Sequence, residues 1–145
     1  MPVARSQALA IVTEARISYP GFGTDPLGCY LNHPMRIVLL QFFPKLAERW
    51  WLRILAAWTL RIDCGQIEKA VALMVEKNRI YGNRQLYLMG SIGIFIRSVD
   101  KVERIRNIDS QGGSSSLLSE SREDSILDLF NYAVLAILVL RKELT

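Results

Sequence analysis

The stretch SREDSILDLFNYAVLAILVLRK (121–142) decides how this chain folds. Between Ile126 and Leu140 its only polar groups are Asp128, Asn131 and the Tyr132 hydroxyl. A segment so apolar on all sides holds together in water only when other elements cover it, which predicts a buried helix. Ser121 and Asp124 have the spacing of a capping box, and acidic residues precede the apolar run while Arg141 and Lys142 follow it. Both ends suit the helix dipole, so the helix is expected over 121–142. Asp124, Asp128 and Asn131 fall at i, i+4 and i+7 and share one face. A carboxylate on a buried helix is costly unless paired or metal-bound. That face therefore reads either as half of a site or, with Asp128 joined to an arginine such as Arg104, as a structural ion pair.

Upstream lies NIDSQGGSSSLLS (107–119), a Gly/Ser linker. Before it, Ile92, Phe95, Ile96, Val99, Val102 and Ile105 recur at helical spacing and predict a helix over 91–108 after a loop containing Gly90. Asp63 and Gln66 have capping-box spacing for a helix over 64–81, with Ile67, Ala70, Val71, Met74 and Val75 as its buried stripe. Gly82 suits the left-handed position that ends it. Pro44 fits the first turn of a helix over 45–62, whose Trp50, Trp51 and Trp58 read as core or as an oligomer interface. Residues 1–35 are less legible. Ser6 to Ser18 suits a short helix or a strand, and YPGFGTDPLG (19–28) is a turn region, together reading as a poorly packed arm. Nothing alternates with period two, so the fold class is all-α and the architecture an antiparallel helix bundle.

Composition excludes several functions. A chain of 145 residues is one compact domain by size and needs no metal or disulfide staple. Its net charge of +4 is spread thinly: seven basic and four acidic residues in 1–65, eleven and ten in 66–145. That gives no strong nucleic-acid signal. Cys29 and Cys64 lack metal or disulfide spacing, and the single His33 argues against a Ser-His-Asp triad. Arg5, Glu14 and Arg16 interrupt any leader-like run, and the apolar part of 126–140 is too short for a usual span of about 20 residues. The expectation is a cytoplasmic protein with no transmembrane segment.

Antiparallel packing of the last two helices would bring Asp100 toward Asp124 and Asp128, and Mg²⁺ takes oxygen ligands of that kind while bridging to substrate phosphates. Lys77, Arg97, Lys101 and Arg104 would add the positive charge that phosphoryl chemistry needs. No P-loop or other nucleotide fingerprint competes.

Three blocks, EKNRIYGN (76–83), GIFIRSVDKVERIRNI (93–108) and ESREDSILDLFNYAVLA (120–136), resemble those of the nucleotide modification associated domain. That is a phage and bacterial family similar to the MazG-like all-α nucleoside triphosphate pyrophosphohydrolases. The resemblance covers about residues 66–140. It implies a MazG-like nucleotide-binding core over 63–145, a role in nucleotide metabolism or DNA-base modification, and a homo-oligomer. Residues 1–62 form an arm and a Trp-rich helix outside it. By the same resemblance, Asp100, Asp124 and Asp128 would hold Mg²⁺ and Glu103 and Glu123 would serve as further ligands or base. Lys77, Lys101 and Arg104 would contact phosphates, while Asn78, Tyr81 and Asn131 position the nucleotide (NTP or dNTP). The products would be a nucleoside monophosphate and pyrophosphate. The sequence departs from the family pattern: Arg104 stands where a later acid of E-E-x-x-E belongs, and Asp124 and Asp128 are four residues apart instead of three. Two alternatives follow, a nucleotide-binding accessory protein without turnover, and a helical oligomer that meets a partner or membrane surface through the Trp50/Trp51/Trp58 helix.

Overall fold

The computed structural model describes residues 4–20, 27, 42–112 and 116–143. Five helices run through them: α1 (Arg5–Ser18), α2 (Pro44–Thr59), α3 (Cys64–Tyr81), α4 (Arg84–Ser110) and α5 (Ser116–Leu140), with no strand among the described residues. Cys29, His33 and most of 19–41 lie outside them, as does the middle of the Gly/Ser linker. None of the helices is long and apolar enough to cross a membrane.

The apolar helix is the centre of the molecule. α5 packs most extensively on α4, then on α2, and also meets α3 and α1. Its Leu127, Leu129, Phe130, Ala133, Val134, Ile137 and Leu138 are all buried, each large one contributing about 1.5–3 kcal/mol over an exposed side chain. The helix begins at Ser116, upstream of the expected start, so Ser121 is an interior residue and not its cap.

α2 opens on Pro44, where a missing N–H costs nothing. Its Trp51 and Trp58 are buried and Trp50 packs its ring against Phe95 of α4, 5.6 Å between centroids. Of the core and interface readings of these tryptophans, Trp51 and Trp58 are core, and Ala136 to Val139 of α5 are buried within the same chain. Trp51 and Trp58 therefore cannot reach a surface without unpacking the core.

α1 is also no loose arm. Ala8, Ile11, Val12 and Ala15 recur at helical spacing and join the same core as α2, α3 and α5. Arg5 pairs with Glu68 of α3, and the Arg53 guanidinium of α2 lies 5.4 Å from the Tyr19 ring just beyond α1.

The capping box of α3 forms as expected: the Gln66 N–H donates to Asp63 Oδ1 (2.8 Å) and the Asp63 N–H to Gln66 Oε1 (3.0 Å). α4 starts at Arg84, well before the expected Ser91, because 84–89 is helical where a loop was expected. Gly90 breaks the helix at φ 63° and ψ −171°, a conformation that L side chains avoid. The break folds Met89 back over Gly93, where an added Cβ would stand 2.4 Å from Met89 Cβ. Beyond it, Ile94, Phe95, Ser98, Val102, Ile105 and Ile108 form the buried face. Ile96, expected inside, is 55% exposed.

Arg141 fastens the far end. It lies just past α5 and donates from Nε to Glu48 Oε1 of α2 (2.7 Å) and from both terminal nitrogens to Glu14 of α1 (2.7 and 2.6 Å). The arginine hydrogen bond is the main reason that the Glu14 carboxyl titrates below its ordinary range, against a smaller opposing effect of burial. A carboxylate lowered in the fold contributes stability above its unfolded pKa near 4.5, and loses that contribution as pH falls through the folded value. Glu14→Gln should therefore flatten the acid limb of a thermal-melt pH profile below about pH 4.5 and lower Tm modestly at pH 7. Arg141→Met, which strands two half-solvated carboxylates, should cost about 1–3 kcal/mol, between surface and buried pairs. Chemical denaturation that found Arg141→Met as stable as wild type would remove the clamp from the account.

Candidate functional site

The polar residues of α5 open onto a cleft of about 440 Å³ between α3, α4 and α5. Its polar lining is Lys77 and Asn78 from α3, Gln85 and Arg97 from α4, and Asp128, Asn131 and Tyr132 from α5. Met74, Leu86 and Leu135 give it an apolar side, and Tyr81 with Gly82 completes the wall. The helical break at Gly90 has a direct consequence here, since it lets 84–89 carry Gln85 and Leu86 into the cleft.

Asp128 is the centre of charge. Its side chain is 17% exposed, with Oδ2 3.0 Å from Lys101 Nζ and Oδ1 3.6 Å from Lys77 Nζ. One carboxylate thus bridges two ammonium groups from two helices. Arg97, one turn before Lys101, lines the same cleft as Tyr132. Burial, and next the negative Asp128, hold the Tyr132 phenol above its ordinary pKa; Lys101 and Arg97 oppose them only in part. Counting Lys77, Lys101, Arg97 and Asp128, the cleft region carries a formal surplus of about two positive charges.

Asn131 is 5% exposed and donates from Nδ2 to the Ala70 carbonyl (2.9 Å). That bond fixes the amide orientation and leaves Oδ1 as a buried acceptor with no partner among the described residues. Asn78, also buried, donates to Asn83 Oδ1 across Gly82 (2.5 Å) and so steadies the turn into α4. Gly82 has the expected positive φ, 71°.

The structure brings Lys77, Asn78, Tyr81, Lys101, Asp128 and Asn131 to one place. It does not gather the expected metal ligands. Among the described residues no three His, Cys, Asp or Glu side chains stand close enough to hold an ion. Asp100 and Asp124 are exposed, and so is Glu103. Glu123 lies 3.6 Å from Lys69. Asp128 is already neutralised by two ammonium groups, whose charge would repel a dication. The donor set therefore does not fit Mg²⁺, because ligands read along one helix face ignored what the neighbouring helices present to it. The described ion partners of Asp128 are Lys101 and Lys77, in place of the Arg104 weighed for it; Arg104 is exposed on α4. Gln85, Leu86 and Tyr132 were missed. Tyr132 carried a signal, being one of three polar groups on the apolar helix; Gln85 and Leu86 carried none once 84–89 was read as loop.

Comparison with known proteins returns no match to a family model, to a curated protein or to a solved structure.

The exposure of the lysines sets the energetics of the pair. Lys77 and Lys101 side chains are 53% and 26% exposed, so both can turn toward water if Asp128 loses its charge. Asp128→Asn should therefore cost only about 1–2 kcal/mol, less than the roughly 3–5 kcal/mol of breaking a fully buried pair. Urea denaturation of the two proteins decides it, and a loss of 4 kcal/mol or more would mean a far drier pair than this.

Proposed function

We propose that the chain binds a phosphorylated small molecule of the nucleotide class in the cleft between α3, α4 and α5. The observation that carries this reading is that Lys77 and Arg97, from two helices, line one cleft with an apolar and aromatic side, while Lys101 pairs with the Asp128 of its wall. Ammonium and guanidinium groups are the side chains that hold phosphate oxygens, by charge-assisted hydrogen bonds about twice as strong as neutral ones. Tyr81, Met74, Leu86 and Leu135 offer flat and apolar surface for a base or sugar. Asn78, Gln85 and Asn131 offer the few polar groups that orient such a ligand in an otherwise apolar pocket.

The resemblance of 76–83, 93–108 and 120–136 to the nucleotide modification associated domain supports the same ligand class, and with it a MazG-like antiparallel bundle. On this reading the chain is the nucleotide-binding accessory protein, working on the cytoplasmic nucleotide pool of a bacterium or of a phage-infected host. Turnover to a nucleoside monophosphate and pyrophosphate would need a metal held by carboxylates, and the present residues do not supply that set. No hydrolytic step is assigned to them.

A titration with a panel of NTPs and dNTPs, in EDTA and then in Mg²⁺, tests the proposal. Binding should appear in EDTA and raise Tm. Lys77→Ala should weaken it about tenfold or more, matching the roughly 1.5–3 kcal/mol of a hydrogen bond to a charged group. Absence of any Tm shift or heat across the panel would end the nucleotide reading. Mg²⁺-dependent release of pyrophosphate would restore the hydrolase and require a different arrangement of the carboxylates.

A further inference from the structure

Asp128 and a ligand phosphate would compete for the same two cations. The carboxylate presents one oxygen to each: Oδ2 at 3.0 Å from Lys101 Nζ, Oδ1 at 3.6 Å from Lys77 Nζ. A phosphate bridging two ammonium groups has the same topology, two oxygens on one centre facing two nitrogens. The two contacts are unequal. Lys101 is the closer and less exposed partner, whereas Lys77 is half exposed, longer in its contact and itself a wall of the cleft. Lys77 is thus the partner free to swing from the carboxylate to an incoming anion.

We infer that Asp128 is a built-in competitor: it occupies the anion position between Lys77 and Lys101, and ligand phosphate enters by taking Lys77 from it. This rests on the phosphate-binding reading above and adds to it a rule of selectivity. An anion that must displace a carboxylate already in contact gains an advantage that grows with the charge it brings beyond the carboxylate's own. Orthophosphate at neutral pH has little advantage, whereas a diphosphate or triphosphate chain has a large one and can also reach Arg97. The site is thereby tuned to polyphosphate esters over monophosphates. Removing the Asp128 charge should raise affinity and blunt the discrimination together. A ligand-contacting or metal-binding Asp128 would respond in the opposite direction.

The test is calorimetric titration of inorganic pyrophosphate and of orthophosphate, in EDTA at fixed ionic strength, into wild type, Asp128→Asn and Asp128→Ser. Asn keeps the shape and an amide acceptor; Ser loses the shape and keeps only a short hydroxyl, so the pair separates charge from packing, and circular dichroism confirms that each variant folds. Pyrophosphate should bind both variants about tenfold more tightly than wild type, and the ratio of pyrophosphate to orthophosphate affinity should fall. Affinity unchanged or lowered in both variants overturns the inference, even where nucleotides bind wild type and the broader reading stands. A wild type blank to the nucleotide panel, with variants also blank to pyrophosphate, overturns both. Wild type blank to pyrophosphate while Asp128→Asn binds it supports the competitor in its strongest form.

Discussion

Everything in this molecule follows from the need to cover one helix on every side. α5 has no face that water would tolerate over its second half, so α1, α2, α3 and α4 are arranged around it. Each brings its own apolar stripe, from the alanine-rich face of α1 to the tryptophans of α2. The cost of such a centre appears wherever it carries a polar group. Asp128 needs cations and Asn131 needs a carbonyl; Lys101 and Lys77, and Ala70, supply them. These partners come from α3 and α4, which is why a cleft opens there and why its lining is positive.

The two ends of α5 solve different problems with the same kind of interaction. At the lower end Arg141 faces two carboxylates, and the excess is negative. Around Asp128 one carboxylate faces two ammonium groups, and the excess is positive. The first arrangement leaves the arginine saturated with hydrogen bonds and joins three helices, which makes it a fastening. The second leaves a weak, long contact to a lysine that water reaches, which makes it an exchangeable one. Stoichiometry and solvent access distinguish a structural ion cluster from a binding one more sharply than the presence of charge.

Much of this was legible in the residues. The burial of α5 followed from its uninterrupted apolar run, the α3 cap from Asp63 and Gln66, and the α2 start from Pro44, because each is a local rule that needs no partner. The site was half legible: the shared face of Asp128 and Asn131 is simple helix geometry, and Lys77, Asn78 and Lys101 were named beside it. What could not be read was pairing across helices. Arg141 looked like a dipole partner and is an interhelical clamp; the tryptophans looked surplus and are core. Residues 84–89 looked like a loop because a glycine with positive φ ended them, yet a glycine breaks a helix as readily in its middle as at its end.

The same limit explains the fate of the acidic stripe. Two carboxylates and an amide at helical spacing attract a metal only if the facing helix brings more acid or leaves room for water. Here α4, the element that packs most closely against α5, carries Arg97, Lys101 and Arg104 at successive turns, and its Lys101 meets Asp128. Basic residues opposite an acid convert a metal-ligand pattern into a set of ion pairs. An ion pair with one loose partner leaves a cation that another anion can reach. Arg104, where the sequence departs from the pattern it resembles, belongs to that row. Charge of that sign along α4 repels a cation and attracts an anion.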